Sequence, residues 1–363
     1  MKLGIDARPF KYNITGIARY TLEISKLLHR YIEDLEIILY VNKNIKSLDI
    51  LNSIINTGKS KIGKKIPTAL WFETEFLKLC LEDQITHFWG TASVLPPLPA
   101  HVKSLLTVYD LNYKVVPESM STPNLIYYRW GFERRIGKAN KILAISSGTA
   151  TRLKEHLNIE ADAVARPAVS SQFKPASPLK IDSVKNKYKI NKPYLLSVCT
   201  WEPRKNLELL VKTYLEMRER GVLHDVDLVL VGGKGWKDQK LSQMIEGYKG
   251  AGILPLGFVP DEDLPALYSG AEAFIFPSIY EGFGMPVLEA RACGTIVVAT
   301  DIPELREAGG PYGIYISPNS EELKKGIMTA YRLGNVIKAG RNTEPDEHSW
   351  ETAAQTVANL LIN

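Results

Sequence analysis

The chain alternates short apolar runs with helix-sized amphipathic segments from end to end, and this pattern restricts it to an α/β fold. Such alternation is typical of βα units around parallel sheets, whose strands are buried on both faces. The predicted strands fall into two series: MKLGIDA, EIILYV, ITHFWG, KSLLTVYD and KILAIS, then YLLSVCT, DLVLVGG, AGILPLG, AFIFPS, TIVVAT and GIYIS. We therefore predict two doubly wound parallel sheets.

A stretch rich in Pro, Lys and Ser separates the two series, between about Val169 and Pro193. This composition indicates a domain junction, so we predict an N-terminal domain at 1–170 and a C-terminal domain that begins at 171. Ligands of doubly wound sheets bind beyond the carboxyl ends of the strands. The cleft between the two domains is therefore the expected active site.

Composition excludes several protein classes. With 45% hydrophobic and 23% charged residues, the 363-residue chain is neither disordered nor collagen-like. Its three cysteines are far apart and form no CxxC pair, as expected of a reduced, cytoplasmic protein without a thiolate metal cluster. No apolar run approaches the roughly 18 residues of a membrane span, and MKLGIDARPF carries charges where a signal peptide needs apolar residues. We expect a cytoplasmic location.

The most informative motif is AFIFPSIYEGFGMPVLEARACG, in which an apolar strand runs into a glycine loop and then a helix. This order of elements directs backbone N–H groups and the positive end of a helix dipole toward the carboxyl edge of the sheet. Pro286 suits the first helical turn. We predict a diphosphate site there, formed by Gly282, Phe283, Gly284, Met285, Pro286 and Val287.

Two carboxylates flank this predicted site, Glu281 in the loop and Glu289 a little over one turn into the helix. Carboxylates accept hydrogen bonds from sugar hydroxyls without competing for a phosphate. A nucleotide sugar could therefore offer its ribose to one glutamate and its hexose to the other. The alternative, a solvated loop residue and a surface helix residue, is disfavoured by the surrounding glycines, proline and strand.

A second cluster lies in VCTWEPRKNLELL, where Arg204 and Lys205 stand between a strand end and a predicted helix. Two fixed cations can stabilise the negative charge that develops on a departing phosphate. The alternative is an exposed basic pair near a helix cap. The sequence shows no carboxylate pair arranged for Mg²⁺, so we predict that no metal cofactor is required.

Other features are weaker indications. Gly232 and Gly233, in VGGKGW, follow another predicted strand and could line a nucleotide pocket. In the first domain, RPFKYNITG brings Gly16 to the start of a helix with Arg19 one turn on, which could bind the same diphosphate from the other side. KSLLTVYD ends with Tyr109 and Asp110, for which a turn or structural role is the alternative. We predict that Tyr109 and Arg19 lie on the acceptor side and that Asp110 is one of the catalytic residues.

The first 170 residues hold 23 basic and 16 acidic residues, against 22 and 24 in the remainder, so an anionic partner is more expected for the first domain. The basic residues have no spacing typical of a nucleic-acid-binding module.

One segment of the first domain suggests peripheral contact with an anionic membrane, although a helix packed on its own sheet would show the same apolar face. Its residues are Lys59, Lys61, Lys64, Lys65, Trp71, Phe72, Phe76 and Leu77.

Together these motifs resemble the retaining glycosyltransferases of family 4, which have the GT-B fold of two Rossmann-like domains facing across a cleft. EGFGMPVLEARACGT is similar to the family's E-x7-E motif. The likeness extends through GIARYTLE, TVYDL, WEPRKN, LVGGKGW, LGFVPDEDLPALY and HSWETAAQTVANLL. The last of these resembles a helix that crosses back onto the first domain. The resemblance thus implies an acceptor-binding domain at 1–170 with 348–363, and a donor-binding domain at 171–347.

The resemblance also implies roles for single residues. Glu281 would contact the transferred sugar, Glu289 the ribose, and Lys205 the diphosphate, with Arg204 as a second cation. The residues implied near the phosphate and the base are Gly16, Phe258 and Val259.

The chain departs from many family members at two places. Cys199 and Thr200 stand where a Gly-Arg pair is common, and Tyr109 stands where His precedes Asp110. Arg204 can replace the missing cation. A front-face substitution, in which the departing phosphate takes the acceptor proton, needs no protein base and tolerates the tyrosine.

The implied function is retaining transfer of a hexose to a glycan or polyprenyl-linked oligosaccharide, in surface polysaccharide or O-antigen synthesis, at the inner face of the membrane. IDARPF and GIARY resemble mannosyl-type members, so GDP-mannose is the expected donor. A UDP-hexose donor and a non-catalytic nucleotide-sugar-binding assembly subunit remain as alternatives. A Rossmann dehydrogenase is disfavoured, because no clean GxGxxG follows the first strand.

Overall fold

The computed structural model describes residues 1–11, 16–42, 60–62, 68–233, 235, 239–248, 250–337 and 348–363. Within them the chain forms two compact units. The first contains 1–114, 122–167 and 348–363, and the second contains 115–121 and 168–347. The boundary between the two units therefore lies between residues 167 and 168, whereas the sequence predicted it between 170 and 171. The sequence analysis also did not predict that residues 115–121 belong to the second unit.

The first unit is built on a seven-stranded sheet in which every pairing is parallel. Its strands are Lys2–Asp6 (β1), Glu36–Val41 (β2), Ser60–Ile62 (β3), His87–Gly90 (β4), Lys103–Val108 (β5), Lys141–Ala144 (β6) and Ala163–Val164 (β7). The order β3-β2-β1-β4-β5-β6-β7 places β1 next to the point where the direction of winding reverses. Parallel strands need crossover connections, and the helices supply them.

The helices of the first unit cover both faces of this sheet. They are Gly16–Leu27, a helix at 68–83 (Thr68–Trp71, a π turn Phe72–Phe76 and Leu77–Asp83), Asn112–Val115, a helix at 122–136 (Thr122–Tyr127, a π turn Tyr128–Phe132 and Glu133–Ile136), Ser147–Leu157 and Trp350–Ile362. Short 3₁₀ turns lie at Arg8–Lys11 and Leu28–Arg30. The final helix packs on the first, where the ring centroids of Tyr20 and Trp350 are 6.1 Å apart.

The second unit has a six-stranded parallel sheet in the order β10-β9-β8-β11-β12-β13. Its strands are Tyr194–Val198 (β8), Asp227–Val231 (β9), Ile253–Gly257 (β10), Ala273–Phe276 (β11), Val297–Thr300 (β12) and Ile314–Ile316 (β13). Its helices are Pro178–Lys187, Leu207–Glu219, Gln239–Gly247, Leu264–Gly270, Met285–Ala292, Pro303–Gly309 and Ser320–Ile337. A 3₁₀ turn at Pro203–Lys205 follows β8.

The fold class predicted from the sequence is confirmed, since all eleven predicted strands are present in two doubly wound parallel sheets. The two strands that the prediction missed, β3 and β7, are three and two residues long and form the edges of the first sheet. Strands this short carry too few apolar residues to show a periodic pattern.

The structure corrects the suggestion that the aromatic residues of the segment around Trp71 face a membrane. Trp71, Phe72 and Phe76 are buried, so the helix at 68–83 packs them on its own sheet. Leu77 is exposed at the surface. The lysines at 59, 64 and 65 lie outside the described residues, and the side chain of Lys61 does so too. No helix among the described residues is both long and apolar enough to cross a bilayer.

Candidate active site

Two loops meet at the carboxyl edge of the second sheet because they follow neighbouring strands, β8 and β11. The turn Pro203–Lys205 follows β8, and the loop at 277–284 follows β11. The backbone N–H of Ile279 donates to the carbonyl of Arg204 at 2.8 Å, and Ser278 Oγ lies 3.0 Å from the same carbonyl. These bonds fix the two loops to each other and determine where their side chains can reach.

The side chains that meet there are Glu281, Lys205 and Arg204. Lys205 Nζ forms an ion pair with Glu281 Oε1, and Arg204 Nη1 donates to Glu281 Oε2 at 3.0 Å. Ser278 Oγ lies 2.7 Å from Oε1. Glu281 and Lys205 are both buried, whereas Arg204 is partly accessible. The structure thus brings together three of the residues that the sequence analysis singled out, in one charged cluster.

The electrostatics of this cluster favour an ionised Glu281. Burial alone raises the pKa of a carboxyl, but the charges of Lys205 and Arg204 outweigh it, and the pKa of Glu281 lies below its ordinary value. The ammonium of Lys205 also lies 4.9 Å from the ring centroid of Phe276, which adds a cation–π contact. Glu281, together with Glu202 at 3.1 Å from Arg204 Nε, balances the charge of the two cations in this structure. Lys205 and Arg204 are the groups of the cluster that can bind an anionic ligand.

Glu289 occupies a separate position, a little over one turn into helix Met285–Ala292. It is buried, and the hydroxyl of Tyr268 donates to its Oε2 at 2.9 Å. Burial and the neighbouring carboxylate raise the pKa of Tyr268 well above its ordinary value, so this hydroxyl keeps its proton and acts as a donor. Tyr268 therefore fixes one oxygen of Glu289.

Glycine is required at two of the predicted positions. Gly284 precedes the helix with φ of +108°, and a Cβ there would lie 2.6 Å from Leu305 Cδ2. Gly232 has φ of +124°, and a Cβ would lie 2.0 Å from the carbonyl oxygen of Cys199. Gly232 thus lets the loop after β9 pack closely on the loop after β8.

The other predicted donor residues differ in exposure. Phe258, at the end of β10, is 75% exposed, whereas Val259 beside it is buried. Gly233 is exposed. In the loop and helix after β11, the half-buried residues are Gly282, Met285 and Pro286, and the buried ones are Phe283 and Val287.

The predicted residues of the first unit lie at the carboxyl edge of its own sheet. Gly16 is exposed at the first position of helix Gly16–Leu27, and Arg19 is half-buried one turn on. Tyr109 is buried with its ring edge-on to Tyr20, at 5.6 Å between centroids. Asp110 Oδ1 accepts from the backbone N–H of Asn112 at 3.1 Å. Tyr109 therefore packs on helix Gly16–Leu27 of its own unit.

Sequence reasoning missed the groups that orient the charged residues. Ser278 and Tyr268 each hold a carboxylate, and Glu202 Oε2 accepts from Arg204 Nε at 3.1 Å. Ser278 stands two residues after the end of a buried strand, a position where such contacts could be sought. Tyr268 lies on a buried helix, where an aromatic residue reads as ordinary core.

Comparison with known proteins adds to this geometry. The sequence pattern of the family "Glycosyl transferases group 1" matches residues 180–343. The chain is 31% identical to the O-antigen chain mannosyltransferase B of Escherichia coli, over 99% of both chains. It is 24% identical to the O-antigen chain mannosyltransferase RfbU of Salmonella typhimurium, over 96% of both.

A solved structure agrees in fold. The crystal structure of WaaG, a glycosyltransferase involved in lipopolysaccharide biosynthesis, superposes with a TM-score of 0.70 over 99% of this chain and 95% of that one. Its sequence identity is 14%, so this likeness concerns the fold alone.

Proposed function

Since the chain belongs to the glycosyl transferases group 1 family and is a glycosyltransferase, we propose that it transfers mannose from GDP-mannose, with retention, to a lipid-linked glycan of an O-antigen. The names of its relatives support mannose and the O-antigen. Retention rests on the resemblance to family 4. A lipid-linked acceptor would place the enzyme in the cytoplasm, at the inner face of the membrane.

The observation that carries the proposal is the cluster of Glu281, Lys205 and Arg204 at the ends of two adjacent strands. The predicted contacts follow the sheet order: Glu281 after β11, Lys205 after β8, Gly232 after β9 and Phe258 after β10. Neighbouring strands are about 4.8 Å apart, so three intervals cover about 14 Å. That span suits an extended nucleotide sugar, with the sugar at Glu281 and the base on the exposed ring of Phe258.

The chemistry follows from the charges. As the bond from the anomeric carbon to the diphosphate oxygen breaks, negative charge develops on the departing phosphate, and Lys205 and Arg204 stabilise it. The acceptor hydroxyl oxygen forms the new bond on the same face, and its proton passes to the departing phosphate oxygen. Atoms and charges then balance without a protein base, which is compatible with a buried Tyr109. Two fixed cations support a reaction that needs no metal.

The carboxylates have complementary tasks in this proposal. Glu281 would accept a hydrogen bond from a hydroxyl of the transferred sugar, and Glu289, held by Tyr268 at 2.9 Å, would accept from the ribose. Both are buried, so their hydrogen bonds form in a medium of low dielectric constant, where they are stronger than in water.

The test is a thermal-shift panel followed by a transfer assay. GDP-mannose, GDP, UDP-glucose, UDP-N-acetylglucosamine, UDP-galactose and UDP are compared with and without EDTA. A ligand at about 100 times its dissociation constant should stabilise the fold by about 2.7 kcal/mol. We expect a shift confined to the guanine nucleotides and unaffected by EDTA, and transfer of mannose to a mannoside on a lipid diphosphate.

Other outcomes contradict parts of the proposal separately. A shift confined to uridine nucleotides would replace the donor by a UDP-hexose. Donor binding without transfer to any lipid-linked acceptor would favour the non-catalytic subunit. Loss of transfer with EDTA would show that a metal is needed. An inverted anomeric configuration in the product would overturn retention.

A further inference from the structure

A cavity of about 520 Å³ lies in the first unit, away from the carboxyl edge of its sheet. One wall is the loop at 95–102, with Pro96, Pro97 and Pro99, which leads to the amino end of β5. The other wall is the helix at 122–136 and the residues that follow it, up to Asn140 at the amino end of β6. The cavity therefore lies at the end of the sheet opposite to Tyr109 and Asp110.

The side chains around this cavity select for an anion. Arg134, Arg135 and Lys138 line it, and no acidic side chain is among the described residues that do so. The nearest acid along the helix, Glu133, pairs with Lys114 at 3.0 Å. A neutral glycan would need carboxylate or amide acceptors for its hydroxyls, whereas these three cations offer only donors. The amide of Asn140 also lines the cavity, but its Oδ1 already accepts from the backbone N–H and the hydroxyl of Ser104 at 2.8 and 3.0 Å. A phosphate group matches them.

The rest of the cavity and its rim are apolar. Trp130 lines it, is 63% exposed, and has the guanidinium of Arg134 at 5.0 Å from its ring centroid. Ile126, one turn earlier, is 62% exposed. Prolines and leucines make the wall formed by the loop at 95–102 apolar. An exposed tryptophan beside cations is typical of a surface that meets the interface of a membrane.

The exposed apolar side chains of this unit concentrate on the same face of the sheet. The β3 to β4 and β5 to β6 connections run in one direction along the sheet and the β1 to β2 connection in the other. Right-handed crossovers therefore put the helices at 68–83 and 122–136 on the face opposite to Gly16–Leu27. The two helices also share Arg8, which lies over the ring of Phe72 and donates to the hydroxyl of Tyr127 at 3.2 Å.

Among the described residues of the first unit, the exposed large apolar side chains are Leu70, Leu77, Leu81, Ile126, Trp130 and Ile362. Five of these six lie on the two helices that share this face. Ile362 belongs to the final helix, which packs on Gly16–Leu27. Trp130 lines the cavity and Ile126 lies one turn from it, whereas the three leucines lie on the other helix of this face. Single exposed apolar residues are ordinary, but their concentration on one face indicates an interaction surface.

We propose that this face binds an anionic phospholipid bilayer, with a lipid phosphate in the cavity between loop 95–102 and helix 122–136 and with Trp130 and Ile126 in the interfacial region. The occupant is a bilayer because dissolved phosphate would account for the cations but not for the apolar side chains around them. This surface differs from the one that the sequence indicated, since Trp71, Phe72 and Phe76 are buried.

The experiment is vesicle sedimentation with the full chain. Vesicles of phosphatidylcholine alone are compared with vesicles that also contain phosphatidylglycerol. We expect binding to the anionic vesicles that weakens with salt. Each basic side chain near an anionic surface contributes about a fivefold change in partition, so R134Q/K138Q should bind about 25-fold more weakly. Trp130→Ala should also bind the anionic vesicles more weakly than the wild type, and it should do so at every salt concentration.

Matched controls lie on the opposite face. K26Q/R30Q removes the same charge, and Ile362→Ala removes an exposed apolar side chain, so both should bind vesicles like the wild type. Equal sedimentation of the test and control variants, or binding of wild type to phosphatidylcholine alone with equal strength, overturns the proposal. Stabilisation by inorganic phosphate that R134Q/K138Q abolishes, without vesicle binding, would show a site for a dissolved anion instead. Thermal shifts with GDP-mannose test the proposed function independently, and R134Q/K138Q should leave them unchanged.

Discussion

Substituting Lys205 by methionine tests the catalytic assignment most directly. Methionine keeps an unbranched stem over the Phe276 ring, 4.9 Å from the present ammonium, but removes the positive charge. Arg204 and Ser278 remain bonded to Glu281 at 3.0 and 2.7 Å, so the carboxylate keeps two of its partners. The change therefore removes one cation from the site with little loss of packing.

The expected magnitudes follow from these contacts. Loss of one preorganised group that stabilises transition-state charge costs about 10² to 10³-fold in kcat. Removing one partner of a fully buried ion pair can cost about 3–5 kcal/mol of stability. Because Glu281 retains a cation and a hydroxyl, we expect a smaller loss of about 1–3 kcal/mol. The protein should fold and turn over slowly.

The assay measures GDP release and mannose transfer at saturating donor, together with the melting temperature. Lys187→Met is the matched control, since Lys187 also pairs with a carboxylate in the second unit, Asp263 at 2.5 Å, but its side chain is 54% exposed and away from the cluster. It should lose little stability and no turnover. A folded Lys205→Met variant with wild-type turnover would refute the leaving-group role of Lys205.

Three further perturbations test other parts of the site. Tyr268→Phe should weaken donor binding about tenfold with a smaller effect on kcat, because Glu289 loses a charged hydrogen bond; an unchanged KM would contradict a positioning role. Glu281→Gln should reduce the slope of melting temperature against pH in acid. The pKa of Glu281 lies below its ordinary value of 4.5 in the fold, so its stabilisation is present above that value and lost as the pH falls through the folded pKa; an unchanged slope would refute this. Gly232→Ala should destabilise the fold by several kcal/mol, on the order of backbone strain plus a steric clash, whereas Gly233→Ala has open space and should not; equal melting temperatures would contradict the close approach.

The sequence predicted the strands of both sheets well because each is a continuous apolar run bounded by turn residues. It could not predict β3 and β7, whose pairing depends on neighbours and not on their own composition. For the apolar segment around Trp71, the sequence predicted the helix but could not predict what its apolar face contacts. Its period fits a helix, but only packing decides whether the apolar side chains meet the sheet or a lipid surface.

The sequence likewise predicted some features of the candidate site and not others. The distance of Glu281, Arg204 and Lys205 from the ends of their strands was sufficient to predict that they lie at the same edge of the second sheet. The carboxyl ends of adjacent parallel strands must lie together. Spacing could not reveal Tyr268, since a buried tyrosine on a helix has the same sequence pattern whether or not its hydroxyl meets a carboxylate. It also could not show that Tyr109 packs inward on Tyr20.

The ion pairs of Glu281 connect stability to the proposed reaction. In this structure Lys205 and Arg204 both bind the carboxylate, yet the proposal assigns the same cations to a diphosphate. A diphosphate carries more negative charge than one carboxylate, so it would compete for both cations and release Glu281 to accept a sugar hydroxyl. The carboxylate in turn keeps the buried cation of Lys205 from lying unpaired, which would cost several kcal/mol. Glu281 would thus stabilise the folded enzyme and bind the sugar at successive stages, and Ser278, 2.7 Å away, can hold its position through the exchange.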